Sequence, residues 1–191
     1  IARALVERLD AAETADVHLA GFSMGGYVAL AMLRLFPGRV RSLALVCSRA
    51  GADGEEAREG RVALSAAIRE RGVEAAADAM MPKMFTDAVP EWLRDGARQW
   101  MLEQSPETLI ADLMAMRERP DSTPMLADLR LPLLVVAGRE DTIFPVAEAQ
   151  QVAAGAPAAR LEVIEGASHL APLEQAERVN AALRGFLPKD D

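Results

Sequence analysis

The chain has 191 residues, of which 51% are hydrophobic and 26% charged, the balance of a globular domain rather than a disordered or fibrous chain. Lys and Arg number 21 against 29 Asp and Glu, a net charge of -8. That sign opposes binding to a phosphate backbone, so nucleic acid is not an expected partner. The longest apolar runs, such as residues 131–137, fall far short of the roughly 20 residues that cross a bilayer, and no membrane partner is expected.

Ile1, Leu5, Leu9 and Ala12 recur at helical spacing, so the chain opens on an amphipathic helix ending before Val17. Charges throughout this opening leave no apolar core for a secretory signal. Residues 17–22 then form a short apolar strand, Ser23 and its glycines a tight turn, and residues 24–36 a helix apolar nearly all round, stopped by Pro37-Gly38. Residues 42–47 read as a second strand without polar alternation, the pattern of a parallel strand covered on both faces.

Beyond Ala50, Gly51, Asp53, Gly54, Glu55, Glu56 and Gly60 form a polar, turn-rich boundary. About seventy residues follow without a strand signal. Met80, Met81 and Met84 share a helical spacing with Val73, Ala76 and Ala77. Trp92, Leu93, Trp100 and Met101 mark another helix, and Ser105-Pro106 starts a third. The tryptophans either border the substrate or, as large aromatics at helical spacing usually do, pack one helix on its neighbour. The methionines, Met114 and Met116 included, either fill the core or line an adaptable pocket. Asp53, Glu55, Glu56, Arg58, Glu59 and Arg61 read as a solvated surface, with Arg49 or Arg119 a further candidate to anchor a substrate carboxylate. Strand and helix alternate again at residues 133–137, 146–154 and 161–164, and a last helix follows Pro172. The layout predicts an α/β fold with a mainly parallel sheet, a core of residues 1–50 and 125–191, and a helical insertion at residues 51–124.

Gly21-Phe22-Ser23-Met24-Gly25 fits Gly-x-Ser-x-Gly, with strand before and helix after, and Gly26 follows. Such a turn projects the hydroxyl outward. A serine hydroxyl needs a base to become a nucleophile, and the chain has two histidines. His18 lies on the strand leading to Ser23, about 16 Å away at roughly 3.3 Å per residue, which leaves His169, just past the last strand. The imidazole needs a carboxylate to fix its tautomer. Asp141, in the loop after residues 133–137, is favoured, and Glu140 is its competitor. Cys47 is the single cysteine, which excludes an internal disulfide and, with only two histidines, argues against a structural zinc site; it reads as an inert buried thiol. Gly25-Gly26 lacks the Lys-Ser/Thr of a phosphate loop. No metal or cofactor is expected, and the thiol count with the opening sequence fits a reducing, cytoplasmic setting.

Gly-Phe-Ser-Met-Gly-Gly at residues 21–26, Gly-x-x-Asp-x-x-x-Pro at 138–145 and Gly-Ala-Ser-His at 166–169, with Leu173-Glu174-Gln175 downstream, resemble the α/β-hydrolases. The likeness extends to their small esterase and 3-oxoadipate enol-lactonase-like branch. The resemblance implies Ser23 as nucleophile, His169 as base, Asp141 as its orienting acid, the Met24 N–H as one oxyanion donor, and residues 51–124 as a cap. It implies a substrate among small carboxylic esters, lactones and thioesters. Two other readings stay open: an impaired or non-catalytic ligand-binding homologue, and acyl transfer, C–C hydrolysis or perhydrolysis on the same residues. In that family further strands precede the nucleophile strand. On the order of 60 to 70 residues, with the second oxyanion donor, are therefore expected upstream of this sequence. Without them the first strand would present an open edge, which predicts aggregation or a strand-paired homodimer.

Overall fold

The computed structural model describes residues 1–188. Four strands, β1 (Val17–Phe22), β2 (Val40–Val46), β3 (Leu133–Gly138) and β4 (Ala159–Ile164), form one sheet in the order β1-β2-β3-β4, every pair parallel. The expected α/β architecture is therefore the one found. Residues 43–46 of β2 and 133–138 of β3 are continuous apolar runs because both their faces are covered. Leu43, Leu45, Leu133 and Val135 pack with Leu30, Met32 and Leu33 of α2 (Met24–Leu35), with Val6 of α1 (Ala2–Ala11), and with Val152 of α8 (Val146–Gly155). Ala44, Val46, Leu134 and Val136 face the other way, onto Val179 and Ala182 of α10 (Ala176–Phe186). β1 differs: Val17 and Leu19 are half-buried, whereas His18, Ala20 and Phe22 are exposed. It lies at the sheet edge, and α10 sits over β3 and β4.

Four helices are inserted between β2 and β3: α3 (Glu55–Arg71), α4 (Glu74–Met84), α5 (Glu91–Leu102) and α6 (Pro106–Glu118). Ser105 caps α6, its hydroxyl accepting from Thr108 N at 3.1 Å. A small core of Ile68, Ala75, Ala76 and Leu113 holds α3, α4 and α6 together. The short α7 (Thr123–Leu126) leads back to the sheet, and α9 (Ala171–Glu174) precedes α10.

Three expectations are corrected here. The polar stretch around residues 51–60 is not all boundary, because α3 begins at Glu55 and runs through Gly60. Glu55 and Glu56 favour the positive end of the helix, and packing of Ile68 and its neighbours offsets the roughly 1 kcal/mol that an internal glycine costs. The charged cluster is not uniformly solvated, since Asp53 is buried. Trp92 and Trp100 do not bury themselves between helices; they are 72% and 58% exposed.

Because all four strands are parallel, their carboxyl ends share one sheet edge, and the loops after β1, β3 and β4 converge there. The helical insert leaves from that edge as well. Its two connections run side by side, with Ser122 N donating to Ala50 O at 2.9 Å and Arg119 Nη2 to Gly51 O at 2.8 Å.

Candidate active site

Ser23 sits between β1 and α2 with φ 49° and ψ -118°, a backbone conformation that costs a non-glycine residue about 1–3 kcal/mol. The surrounding bonds hold it there: Ser23 N donates to Val46 O at 2.9 Å, and Ser23 O accepts from Gly26 N at 2.9 Å and from Ser48 Oγ at 2.8 Å. Glycine is required at two points of this turn. A Cβ on Gly21 would lie 2.5 Å from Gly25 O, and one on Gly26 would overlap the Ser48 side chain.

The Ser23 hydroxyl lies 2.9 Å from His169 Nε2, and His169 Nδ1 lies 2.9 Å from Asp141 Oδ2. A carboxylate can only accept, so Nδ1 carries the proton and Nε2 is left to accept from the serine. The other Asp141 oxygen accepts from the N–H groups of Ile143 and Phe144 at 2.8 and 2.9 Å. Asp141 and His169 are 4% and 1% exposed, so the pair is shielded from water while Ser23 stays reachable. Phe22 and Phe144 flank the imidazole, each with ring centroids 5.4 Å away. Glu140 turns elsewhere: its carboxylate accepts from Ala167 N at 3.0 Å, and its own N–H donates to Ala167 O at 2.9 Å. His18 is held by the Ser42 hydroxyl at 2.8 Å, opposite it in the sheet. Met24 is the first residue of α2, so its N–H has no intrahelical acceptor. Burial, and then the nearby Asp141 charge, push the Cys47 thiol up to about 12, which leaves it protonated and unreactive at neutral pH.

Beside the serine and histidine opens a cleft of about 510 Å³, lined by Phe22 and Leu170, each a chain neighbour of one of those two residues, by Leu173, and by Met84, Trp100 and Met101 from the insert. Gln104 is the one polar side chain among its lining residues. Two of the methionines thus line the cleft, whereas Met114 and Met116 pack against the core of the insert.

Sequence reasoning missed a second cluster. Asp53 Oδ1 meets Arg49 Nη2 at 2.6 Å and Arg119 Nη1 at 2.9 Å, and Oδ2 meets Arg61 Nε at 3.1 Å. Arg49 also reaches Glu148 at 3.2 Å. The Arg49 guanidinium lies 5.3 Å from the centre of the Phe144 ring, and that of Arg119 lies 3.9 Å from the Tyr27 ring. Arg49 and Arg119, considered as carboxylate anchors, are therefore committed to the protein's own Asp53. The acid-base spacing of Arg49, Asp53 and Arg61 was the available signal; Arg119 is brought in only by the fold.

A parallel sheet with helices on both faces, and a strained serine at a strand-to-helix turn beside a buried His–Asp pair, define a class of protein. Residues 1–182 match the Alpha/beta hydrolase family, and the chain belongs to it. A thermophilic esterase from Thermogutta terrifontis, solved with malate bound, superposes with a TM-score of 0.89 at 36% identity, over 93% of this chain and 66% of that one. The dihydrolipoyllysine-residue acetyltransferase component of an acetoin cleaving system from Pseudomonas putida is 32% identical over 95% of this chain and 48% of its own length. A 2-hydroxy-6-oxononadienedioate/2-hydroxy-6-oxononatrienedioate hydrolase from Paraburkholderia xenovorans is 30% identical over 97% of this chain and 67% of its own. The chain thus spans between about half and two thirds of these relatives. Among the described residues no helix is long and apolar enough to cross a membrane.

Proposed function

We propose that the chain carries the reacting residues of a serine hydrolase that cleaves an uncharged carboxylic ester through an acyl-enzyme, with the helical insert acting as its cap. The observation that supports this most directly is the Ser23–His169–Asp141 series, two contacts of 2.9 Å each. Ser23 Oγ attacks the ester carbonyl while His169 Nε2 takes its proton. The negative charge on the carbonyl oxygen is received by the Met24 N–H. Asp141 stabilises the imidazolium, which then protonates the departing alcohol as the ester C–O bond breaks. Water, deprotonated by His169, releases the acid and restores Ser23.

The apolar cleft argues for the substrate class. Its lining offers no cation, and burying a carboxylate there without a partner costs several kcal/mol. An ester bearing an apolar acyl or alcohol group suits it better than the dioates named for the Paraburkholderia relative. Intact-mass analysis after treatment with a fluorophosphonate provides the test. The unmodified chain should gain one adduct, and Ser23→Ala and His169→Ala should gain none. An adduct that persists on Ser23→Ala overturns the assignment of the nucleophile.

A further inference from the structure

His169 is fastened to the helical insert from both sides of its backbone. Ahead of it, Ser168 N donates to Glu174 Oε2 at 2.6 Å. The other oxygen of the same carboxylate accepts from Thr86 N, just beyond the end of α4, at 2.7 Å. Behind it, Leu170 N donates directly to Met84 O, the last residue of α4, at 2.9 Å. Thr86 is fixed in turn, because the Arg94 guanidinium of α5 donates to its carbonyl and lies 5.6 Å from the Phe85 ring. Glu174 closes α9, and the next residue, Gln175, donates from Nε2 at 3.0 Å to the carbonyl of Gly166, which stands at φ 72° in the turn between β4 and the histidine loop.

Short bonds between a carboxylate and two backbone N–H groups are charge-assisted and directional. Here one carboxylate spends both oxygens on N–H groups from two different parts of the fold, the histidine loop and the insert. We propose that Glu174 is a positioning residue that makes the alignment of the His169 imidazole depend on the insert being docked. The inference rests on the reading of His169 as the base. Removing the carboxylate frees the Ser168 and Thr86 N–H groups together, and leaves Leu170 N to Met84 O at 2.9 Å and the longer contact of Ser168 Oγ with Lys83 O at 3.4 Å to carry the connection. A displacement of about 1 Å at a reacting group is enough to cost on the order of 100-fold in rate.

The test is nuclear magnetic resonance on the full chain, comparing the parent with Glu174→Ala and Glu174→Gln, and with Glu177→Gln, an exposed neighbour, as control. Two readouts are taken: amide hydrogen exchange, and the tautomer of His169 from its ring nitrogen shifts. For Glu174→Ala, exchange should quicken at least tenfold at Thr86 and Ser168, and also at Leu170, whose own acceptor is untouched. The His169 ring should pass from the Nδ1–H form to a mixture. Glu174→Gln, whose amide keeps one acceptor oxygen and sets an NH2 against the other N–H, should fall between, and Glu177→Gln should match the parent. Protection at Val135, deep in the sheet, certifies that each variant is folded. Unchanged Leu170 exchange and an unchanged His169 tautomer in folded Glu174→Ala would overturn the proposal. Neither readout requires turnover, so failure of the parent to take a fluorophosphonate adduct would remove the hydrolase reading and leave this result interpretable.

Discussion

At the scale of single residues, the motif around Ser23 separates into positions that differ in what they demand. Gly21 and Gly26 are compelled by contacts, the second with Ser48 across the turn, whereas a Cβ on Gly25 would meet open space. Gly26→Ala should therefore cost about 1–3 kcal/mol from overpacking, and Gly25→Ala should stay within about 1 kcal/mol, both read from denaturant midpoints. The pattern was legible in the sequence, but its internal ranking was not, because Ser48 reaches Gly26 only through the pairing of β1 with β2. The carboxylate beside His169 shows the same division. Position along the chain narrowed it to Asp141 or Glu140. The direction in which each side chain leaves the loop depends on the N–H groups of Ile143 and Phe144 gathering one and that of Ala167 the other.

Among the elements, the strands and the helices near them were legible because their apolar runs have one length and one period. The insert was harder to read. Its charges look like solvent-facing residues until the fold closes Arg119 onto Asp53, and its tryptophans look like packing residues although both are largely exposed. Asp53 joins the entry and exit of the insert, so Asp53→Ala leaves Arg61 and Arg119 without their counter-charge and should cost about 3–5 kcal/mol. Burial raises the Asp53 carboxyl, but the hydrogen bonds and charges of Arg61 and Arg119 outweigh it and hold the group below its ordinary 3.8. A folded value below the unfolded one means that its stabilisation is whole above 3.8 and fades as pH falls through the lower folded value. The unfolding free-energy gap between the parent and Asp53→Asn, measured in urea, should accordingly be constant from neutral pH down to about 4 and shrink below that. A gap that widens on acidification would contradict this sign.

For the molecule as a whole, the sheet has β1 at one edge, with His18, Ala20 and Phe22 exposed along it. Unpaired strand edges of this kind invite pairing with another chain. The chain should therefore self-associate with rising concentration in light scattering, and Ala20→Lys, placing a charge on that strand away from Ser23, should reduce the effect. Equal association by parent and variant would show that β1 is not the contact.

The two ends of the helical insert touch, with Ala50 and Ser122 sharing a hydrogen bond, so the insert closes on itself like a loop whatever its length. Lengthening, shortening or exchanging it moves no strand and adds little closure entropy, since that cost grows only slowly with loop length. For a protein engineer or for evolution, this makes the insert an interchangeable module above a fixed sheet. A replacement inherits a short specification: a carboxylate for Arg49, a carbonyl for the Leu170 N–H and an N–H for Glu174.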